Sequence, residues 1–182
     1  MSFTEKKTLF NTNRHYTSVR PTILNHPNDK FESKLLLDEN INRKGFGGLR
    51  YKNFFKISLK DKPLISIVTP NFKSPDLEKT IISVLKQEYE NIELIIIDAD
   101  SGEETIKILK KYEDDIDLWV SEKDDGLWDG WNKGLKFASG DYIGILDSTS
   151  TFNINAMKYL LRYIKEYPQA DFIFGTIKKA DK

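Results

Sequence analysis

From Leu64 onward the chain alternates short, β-branched apolar runs with amphipathic segments, and this alternation restricts its fold more than any other feature. Leu64-Ile65-Ser66-Ile67-Val68-Thr69 is apolar on both faces and stops at Pro70, as a buried strand does. Behind it Ser74 is placed to cap and Pro75 to open a helix, in which Leu77, Ile81, Val84 and Leu85 recur at helical spacing. The unit then repeats. Glu93 to Asp98 reads as a second strand, and Ser101 with Glu104 forms a capping box before a helix carrying Ile106, Leu109 and Tyr112. Ile116 to Val120 is a third strand. Leu127 to Ala138 is a helix with Trp128, Trp131, Leu135 and Ala138 on one stripe, ending near Gly140. Tyr142 to Leu146, a helix through Met157, Leu160, Leu161 and Ile164 up to Pro168, and a strand holding Asp171 and Phe172-Ile173-Phe174 complete the series. Strands without a polar face, alternating with helices, predict an α/β fold: a mostly parallel sheet flanked by helices.

The first sixty residues read differently. Residues 1–60 show weak periodicity, with one apolar patch at Leu35-Leu36-Leu37 and the stretch Gly45-Phe46-Gly47-Gly48, and are expected to be an irregular leader with one short helix. The division is then 1–60 as leader and 61–182 as the folded domain. Net charge conceals a difference between them, since 1–60 carry 12 Lys and Arg against 5 Asp and Glu, while 61–182 carry 16 against 23. A basic leader can touch an anionic membrane surface, or it can lie on the acidic body of its own chain. Its basic residues are scattered rather than blocked, so no nucleic-acid partner is expected. The absence of cysteine excludes disulfides, thiolate metal sites and a Cys nucleophile. His15 and His26 both lie in the leader, which argues against a histidine triad or a multi-His metal site. No apolar run approaches the ~20 residues of a membrane span, and the start MSFTEKKTLFNTNRHY lacks a signal-peptide core. The expected location is cytoplasmic, with the inner membrane face as the one membrane contact weighed.

In an open parallel sheet the ligand crevice lies beyond the carboxyl ends of the strands. Those ends carry Thr69-Pro70-Asn71, then Asp98-Ala99-Asp100-Ser101, then Ser121 to Gly126 with Asp124 and Asp125, and last Asp147-Ser148-Thr149-Ser150. Carboxylates gathered on one edge repel unless a cation or hydrogen-bond donors satisfy them, and a ligand bearing hydroxyls and ring N–H groups, with or without a divalent metal, does so. Any single Asp or Ser here is more often a helix cap or turn residue than a ligand, so the joint pattern carries the argument. No phosphate loop of the Gly-x-x-x-x-Gly-Lys type and no Gly-x-Gly-x-x-Gly follows any strand, which excludes P-loop hydrolysis and a standard nicotinamide site. Trp128 and Trp131 read most simply as core aromatics, with sugar stacking as the other reading. Lys133 is placed either to neutralise a phosphate or to be solvated.

With these residues in view, the chain resembles family 2 glycosyltransferases, the nucleotide-sugar-dependent enzymes of the GT-A fold, over about residues 46–176. The resemblance rests on Gly47-Gly48-Leu49-Arg50, Pro63 to Pro70, Glu78-Thr80-Ile81 with Ser83-Val84 and Gln87, and Asn91-Ile92-Glu93 leading to Ile97-Asp98. It continues through Trp119-Val120-Ser121-Glu122, Asp125-Gly126, Asn132-Lys133-Gly134, Ala138 to Asp141 and Ile145-Leu146-Asp147. It is similar to members that build bacterial surface polysaccharides. The resemblance implies a GT-A, Rossmann-like domain that moves a sugar, with inversion, from a nucleotide-diphosphate sugar to a hydroxyl of a glycan or lipid-linked acceptor. It implies that Pro70, Asn71, Phe72 and Asp98 bind the base and ribose. Asp125, Gly126, Asn132 and Lys133 would line the nucleotide site, with Asp100 on the same edge. Asp147 would hold Mg²⁺ or Mn²⁺ on the diphosphate.

The sequence departs from the family pattern at that last point. The usual acidic pair after Leu-Asn/Asp-Ser is Thr149 and Ser150 here, so Asp147 remains without its carboxylate partners and metal binding is expected to weaken. The glycine usual after the second strand's aspartate is replaced in Ala99-Asp100, the usual Ala-Met before Asn-Lys-Gly is Gly130-Trp131, and Thr176 follows Gly175 where an acidic residue is common. No catalytic base is carried over. The alternative to a transferase is a GT-A-like module that binds nucleotide-sugars or another molecule without turnover, and a third reading is a fragment whose remaining parts lie on another chain.

Overall fold

The computed structural model describes residues 3–7, 13–25, 27–28, 31–176 and 178; His26 lies outside them. A five-stranded sheet organises the molecule, its strands in the spatial order 45–47, 118–121, 92–98, 65–71 and 142–145. Its centre is β4 (Ile65–Asn71) and β5 (Ile92–Asp98), joined in parallel register from Ile65 opposite Ile92 to Asn71 opposite Asp98. β6 (Leu118–Ser121) runs parallel beside β5, and β7 (Tyr142–Ile145) parallel beside β4. Only β3 (Gly45–Gly47) is antiparallel, pairing with β6 at the edge.

Helices cover both faces, as expected. On one, α1 (Leu77–Leu85), α2 (Glu103–Lys111) and α4 (Ala156–Glu166) pack on Ile65, Ile67, Leu94, Ile96 and Trp119. On the other, α3 (Leu127–Phe137) lies over Val68 and Ile97, in a core completed by Ile95, Leu118 and Val120. β4 and β5 are wholly buried, which is why they carry no alternating polar positions.

Several expectations are corrected. The leader is not irregular: β1 (Phe3–Lys7) and β2 (Asn13–Thr17) form an antiparallel hairpin, β3 joins the main sheet, and the one helix among its described residues is the 3₁₀ turn Leu49–Lys52. Gly48 makes that turn possible. Its φ of +104° suits glycine, and a Cβ there would come within 2.8 Å of the Asp117 carbonyl. The third strand runs one residue further than expected, to Ser121, and starts at Leu118. The Ser101–Glu104 capping box does not form. Gly102 occupies the N-cap of α2, because the Ser101 hydroxyl is engaged by Asn71 and the Lys73 backbone instead. Helix α1 begins at Leu77 rather than at Pro75, with Ser74 bonded to the Ser148 carbonyl. Residues 171–174 form no strand; Phe172 and Phe174 are exposed, with their rings stacked on each other.

The leader's cations lie on the acidic body. Lys6 reaches Asp114, Lys52 reaches Glu113 and Asp114, Arg43 reaches Glu122, Arg50 reaches Glu93 and Lys56 reaches Asp117. Of the two uses weighed for the basic leader, packing against its own chain is the one these pairs realise. Among the described residues no helix is long and apolar enough to cross a membrane.

Candidate functional site at the carboxyl edge of the sheet

The parallel register of β4, β5 and β6 sets their last residues, Asn71, Asp98 and Ser121, side by side. Their side chains join. Asp98 is fully buried; its Oδ1 accepts from Asn71 Nδ2 at 2.6 Å, and its Oδ2 accepts from the Ser121 hydroxyl at 2.7 Å and the Ser101 backbone N–H at 3.1 Å. Backbone bonds tie the same ends, Ala99 N–H to the Asn71 carbonyl and Glu122 N–H to the Asp98 carbonyl. The result is a stiff polar floor across three strands. One acceptor in it is left over: Asn71 Oδ1 is buried with no partner among the described residues. A buried unpaired carbonyl oxygen is costly, and an incoming N–H or hydroxyl removes that cost.

Around this floor stand the remaining edge residues. Pro70 is buried at the end of β4, and Phe72 just beyond it is 66% exposed, with the Lys73 ammonium 5.1 Å from its ring centroid. Asp100 sits half-buried in the left-handed region, φ +54°. The first turn of α3 closes one side. A Cβ built on Gly130 would lie 3.4 Å from Pro70 Cβ and 3.2 Å from Asp124 Oδ2, so glycine lets the helix come down onto the strand end. Asp125 and Gly126 are exposed in the loop before that helix, whose N–H groups are held by Asp129 and Asp124. At the β7 end, Asp147 is exposed on a turn that Thr80 pins to α1 through the carbonyls of Ser148 and Ser150.

The structure therefore brings Pro70, Asn71, Phe72, Asp98, Asp100, Asp125, Gly126 and Asp147 to one edge. Lys133 is ion-paired beside this edge: its Nζ lies 2.9 Å from Oε1 of Glu122, the residue after β6, and 3.9 Å from Asp129 Oδ2, and it lines, with Arg43 and Lys34 of the leader, a cavity of about 460 Å³. Burial opposes ionisation of Glu122, yet Lys133, Arg43 and Asn40 outweigh it and hold its carboxyl below the usual range. Asn132 is exposed on the same helix. Trp128 and Trp131, expected in the core, are outside it: Trp128 is 71% exposed and Trp131 half-buried. A helical stripe shows which residues share a side; it does not show that anything covers that side.

Sequence reasoning missed the part played by Ser101 and Ser121. Ser101 reads as a helix cap and Ser121 only as one of the residues following a strand, and the contacts with Asp98 show that both complete its hydrogen bonding. Among the described residues no three His, Asp or Glu gather as a metal site, so Asp147 is the single carboxylate the turn offers.

The chain is similar to known proteins of bacterial glycan synthesis. The chain is 34% identical over 109 residues to TuaG of Bacillus subtilis, named for teichuronic acid biosynthesis, covering 58% of this chain and 43% of TuaG. It is 36% identical over 100 residues to Escherichia coli WfgD, named as a UDP-Glc:α-D-GlcNAc-diphosphoundecaprenol β-1,3-glucosyltransferase, covering 54% of this chain and 40% of WfgD. The chain thus spans less than half the length of these relatives. Among solved structures, S. aureus TarS 1–349 superposes with a TM-score of 0.53 at 21% identity over 58% of this chain and 33% of TarS, which supports the shared GT-A fold. The profile of glycosyl transferase family 2 matches residues 66–182, and the chain belongs to that family.

Proposed function

We propose that the chain binds a nucleotide-diphosphate sugar at the carboxyl edge of its sheet and serves the transfer of that sugar to a hydroxyl acceptor in glycan or polysaccharide synthesis. The observation that carries this is the floor formed by Asn71, Asp98, Ser101 and Ser121, with one buried acceptor left for a ligand. The relatives support the chemistry: WfgD is named for glucosyl transfer from UDP-Glc to a lipid-diphosphate-linked sugar, and a TarS structure holds UDP-GlcNAc. Asp98 acts from behind. Its oxygens are taken by the protein, so it fixes Asn71, whose Oδ1 accepts from a base N–H or ribose hydroxyl. The exposed face of Phe72 offers a stacking surface for the base.

In the transfer itself, the acceptor hydroxyl oxygen bonds to the anomeric carbon and gives its proton to solvent as the bond from that carbon to the diphosphate oxygen breaks, and the nucleoside diphosphate leaves with the electron pair. A divalent cation on the diphosphate would neutralise that leaving charge. Asp147 is the residue placed to hold it, and Mg²⁺ is commonly bound by one or two carboxylates with the rest of its shell from phosphate and water. Thr149 and Ser150 add no countercharge, so the metal requirement is modest.

The absence of a three-ligand cluster among the described residues favours a second reading, a module that binds the nucleotide-sugar without turnover. Calorimetric titration with nucleoside diphosphates, with and without Mn²⁺, tests the binding. Expected is binding in both conditions, with Mn²⁺ strengthening it by about tenfold, roughly 1.4 kcal/mol, and the Mn²⁺ effect lost in Asp147→Ala. No binding in either condition overturns the proposal. Release of free diphosphate from a nucleotide-sugar then separates transferase from module.

A further inference from the structure

Because the leader's cations pair with the body of the chain, the basic surface that remains lies at the other end of the sequence. Residues 61–150 carry 10 Lys and Arg against 20 Asp and Glu, whereas residues 151–182 carry 6 against 3. Three of those six cations stand on α4, Ala-Met-Lys-Tyr-Leu-Leu-Arg-Tyr-Ile-Lys-Glu, which has one apolar stripe. Met157 on that stripe is buried, and Leu160 and Leu161 pack beside it on the core shared with α1 and α2. At ~100° per residue, Lys158, Arg162 and Lys165 then run along one side of the outer surface and Tyr159 and Tyr163 along the other. All five are exposed, the two tyrosines by 50% and 40%.

Observed contacts join the two sides of this surface. The Arg162 guanidinium lies 5.7 Å from the ring centroid of Tyr159 and 5.0 Å from that of Tyr163, and Tyr163 stacks on Tyr167 at 6.3 Å. The one carboxylate of the helix, Glu166, accepts from the Tyr167 hydroxyl, which raises the pKa of that hydroxyl. Lys158, Arg162 and Lys165 form no ion pair among the described residues, unlike the cations of the leader. Past the helix, the Ala170 N–H closes a turn on the Tyr167 carbonyl. Directly after that turn Phe172 and Phe174 stand almost fully exposed, with their rings stacked.

Phenylalanine rings held in water favour transfer to an apolar phase, and tyrosine suits the boundary of such a phase, with its ring on the apolar side and its hydroxyl wet. Lysine and arginine at the same level are drawn to phosphate-bearing headgroups. The strongly acidic stretch 61–150 is repelled by those headgroups, so charge also orients the approach. We infer that α4 and the Phe172–Phe174 segment behind it form a docking face for the surface of an anionic lipid bilayer, with Lys158, Arg162 and Lys165 at the headgroups and the Tyr and Phe rings at the interface. The contact is peripheral, since among the described residues no helix is long and apolar enough to cross a membrane. It is independent of the nucleotide-sugar reading above.

Co-sedimentation of the full chain with vesicles checks this. Binding is expected to vesicles of phosphatidylcholine mixed with phosphatidylglycerol, to weaken with added salt, and to be at least ~10-fold weaker on phosphatidylcholine alone. Arg162→Gln combined with Lys165→Gln should weaken it about 10- to 30-fold, at roughly fivefold per cation beside an anionic surface. Phe172→Ser combined with Phe174→Ser should weaken it at least ~10-fold through lost apolar contact. These four side chains are exposed, so both variants should keep the wild-type urea transition. Lys6→Gln combined with Lys52→Gln, which removes cations of the leader, should leave vesicle binding unchanged. Equal binding to the two vesicle types, binding to neither, or a loss in the leader variant that matches the loss in the α4 variant overturns the inference. Self-association of the free chain that Phe172→Ser with Phe174→Ser abolishes also overturns it, by giving the face to a second copy.

Discussion

Glu93 joins the leader to the sheet through a single buried carboxylate. It accepts from Arg50 Nη2 at 2.5 Å, from the Ser139 backbone N–H at 2.6 Å and its hydroxyl at 2.9 Å, and from the Ser66 hydroxyl. Arg50 in turn donates to the carbonyls of Leu35 and Phe137. Burial opposes the charge on Glu93, but Arg50, Ser66 and Ser139 more than offset it, so its pKa in the folded chain is lowered. A carboxyl depressed in this way contributes stability above its unfolded value, about 4.3, and that contribution disappears as pH falls through the folded value. Glu93→Gln leaves Arg50 buried without its countercharge and should cost about 3–5 kcal/mol in urea unfolding at pH 7. The variant's stability should also change less than the wild type's between neutral and acid pH. Equal acid sensitivity in the two proteins would remove Glu93 as the source. At the site, Asp98→Asn exchanges an oxygen that accepts from donors for an amide that cannot, with an expected loss of about 1–3 kcal/mol and of nucleoside diphosphate affinity. Calorimetry and a urea melt read both effects.

Close approach of α3 to the sheet is what brings its first turn to the strand ends, and Gly134 permits it. A Cβ at that position would fall 2.3 Å from Val68 Cγ1 and 3.2 Å from Ile97 Cγ1, so Gly134→Ala must push the helix outward or distort β4. A loss of about 1–3 kcal/mol is expected, with weaker nucleotide binding in parallel, measured by urea unfolding and calorimetry. Unchanged stability would mean that α3 shifts without cost. The elements themselves were readable because β4 and β5 are buried on both faces, which demands unbroken runs such as Leu94-Ile95-Ile96-Ile97. β3 was not, since Gly-Phe-Gly has no periodicity and is a strand only because β6 offers it an edge. The edge residues were legible as a set, being strand ends by position. Their individual work was not: the Ser101 hydroxyl serves Asn71 and Lys73, not a cap, and Lys133 faces Glu122, because these choices depend on neighbours distant in sequence.

At the scale of the whole molecule, the two oppositely charged stretches are parts of one electrostatic unit. Lys56 and Asp117 show this best: both are buried, 2.7 Å apart, and Asp117 also accepts from the Leu94 backbone N–H. Burial lowers the pKa of Lys56, and the Asp117 carboxylate beside it opposes that shift. Removing residues 1–60 would therefore strip Glu93, Asp117 and Glu122 of Arg50, Lys56 and Arg43 while opening the β6 edge. Loss of one partner of a buried pair already costs about 3–5 kcal/mol, and a domain of this size has about 5–15 kcal/mol in total. A chain starting at residue 61 is expected to lose the near-ultraviolet dichroism of buried Trp119 and its cooperative urea transition. A chain starting at residue 45 keeps β3, Arg50 and Lys56 but forfeits the β1–β2 hairpin with its buried Arg14 and Tyr16, buried Leu35 and the Arg43–Glu122 pair, so it should retain both signals at clearly reduced stability. If the shorter chain unfolded as cooperatively as the longer one, the leader would be an appendage and residues 61–182 a domain in their own right. The expected contrast instead makes residues 45–60 part of the core that holds the site in place.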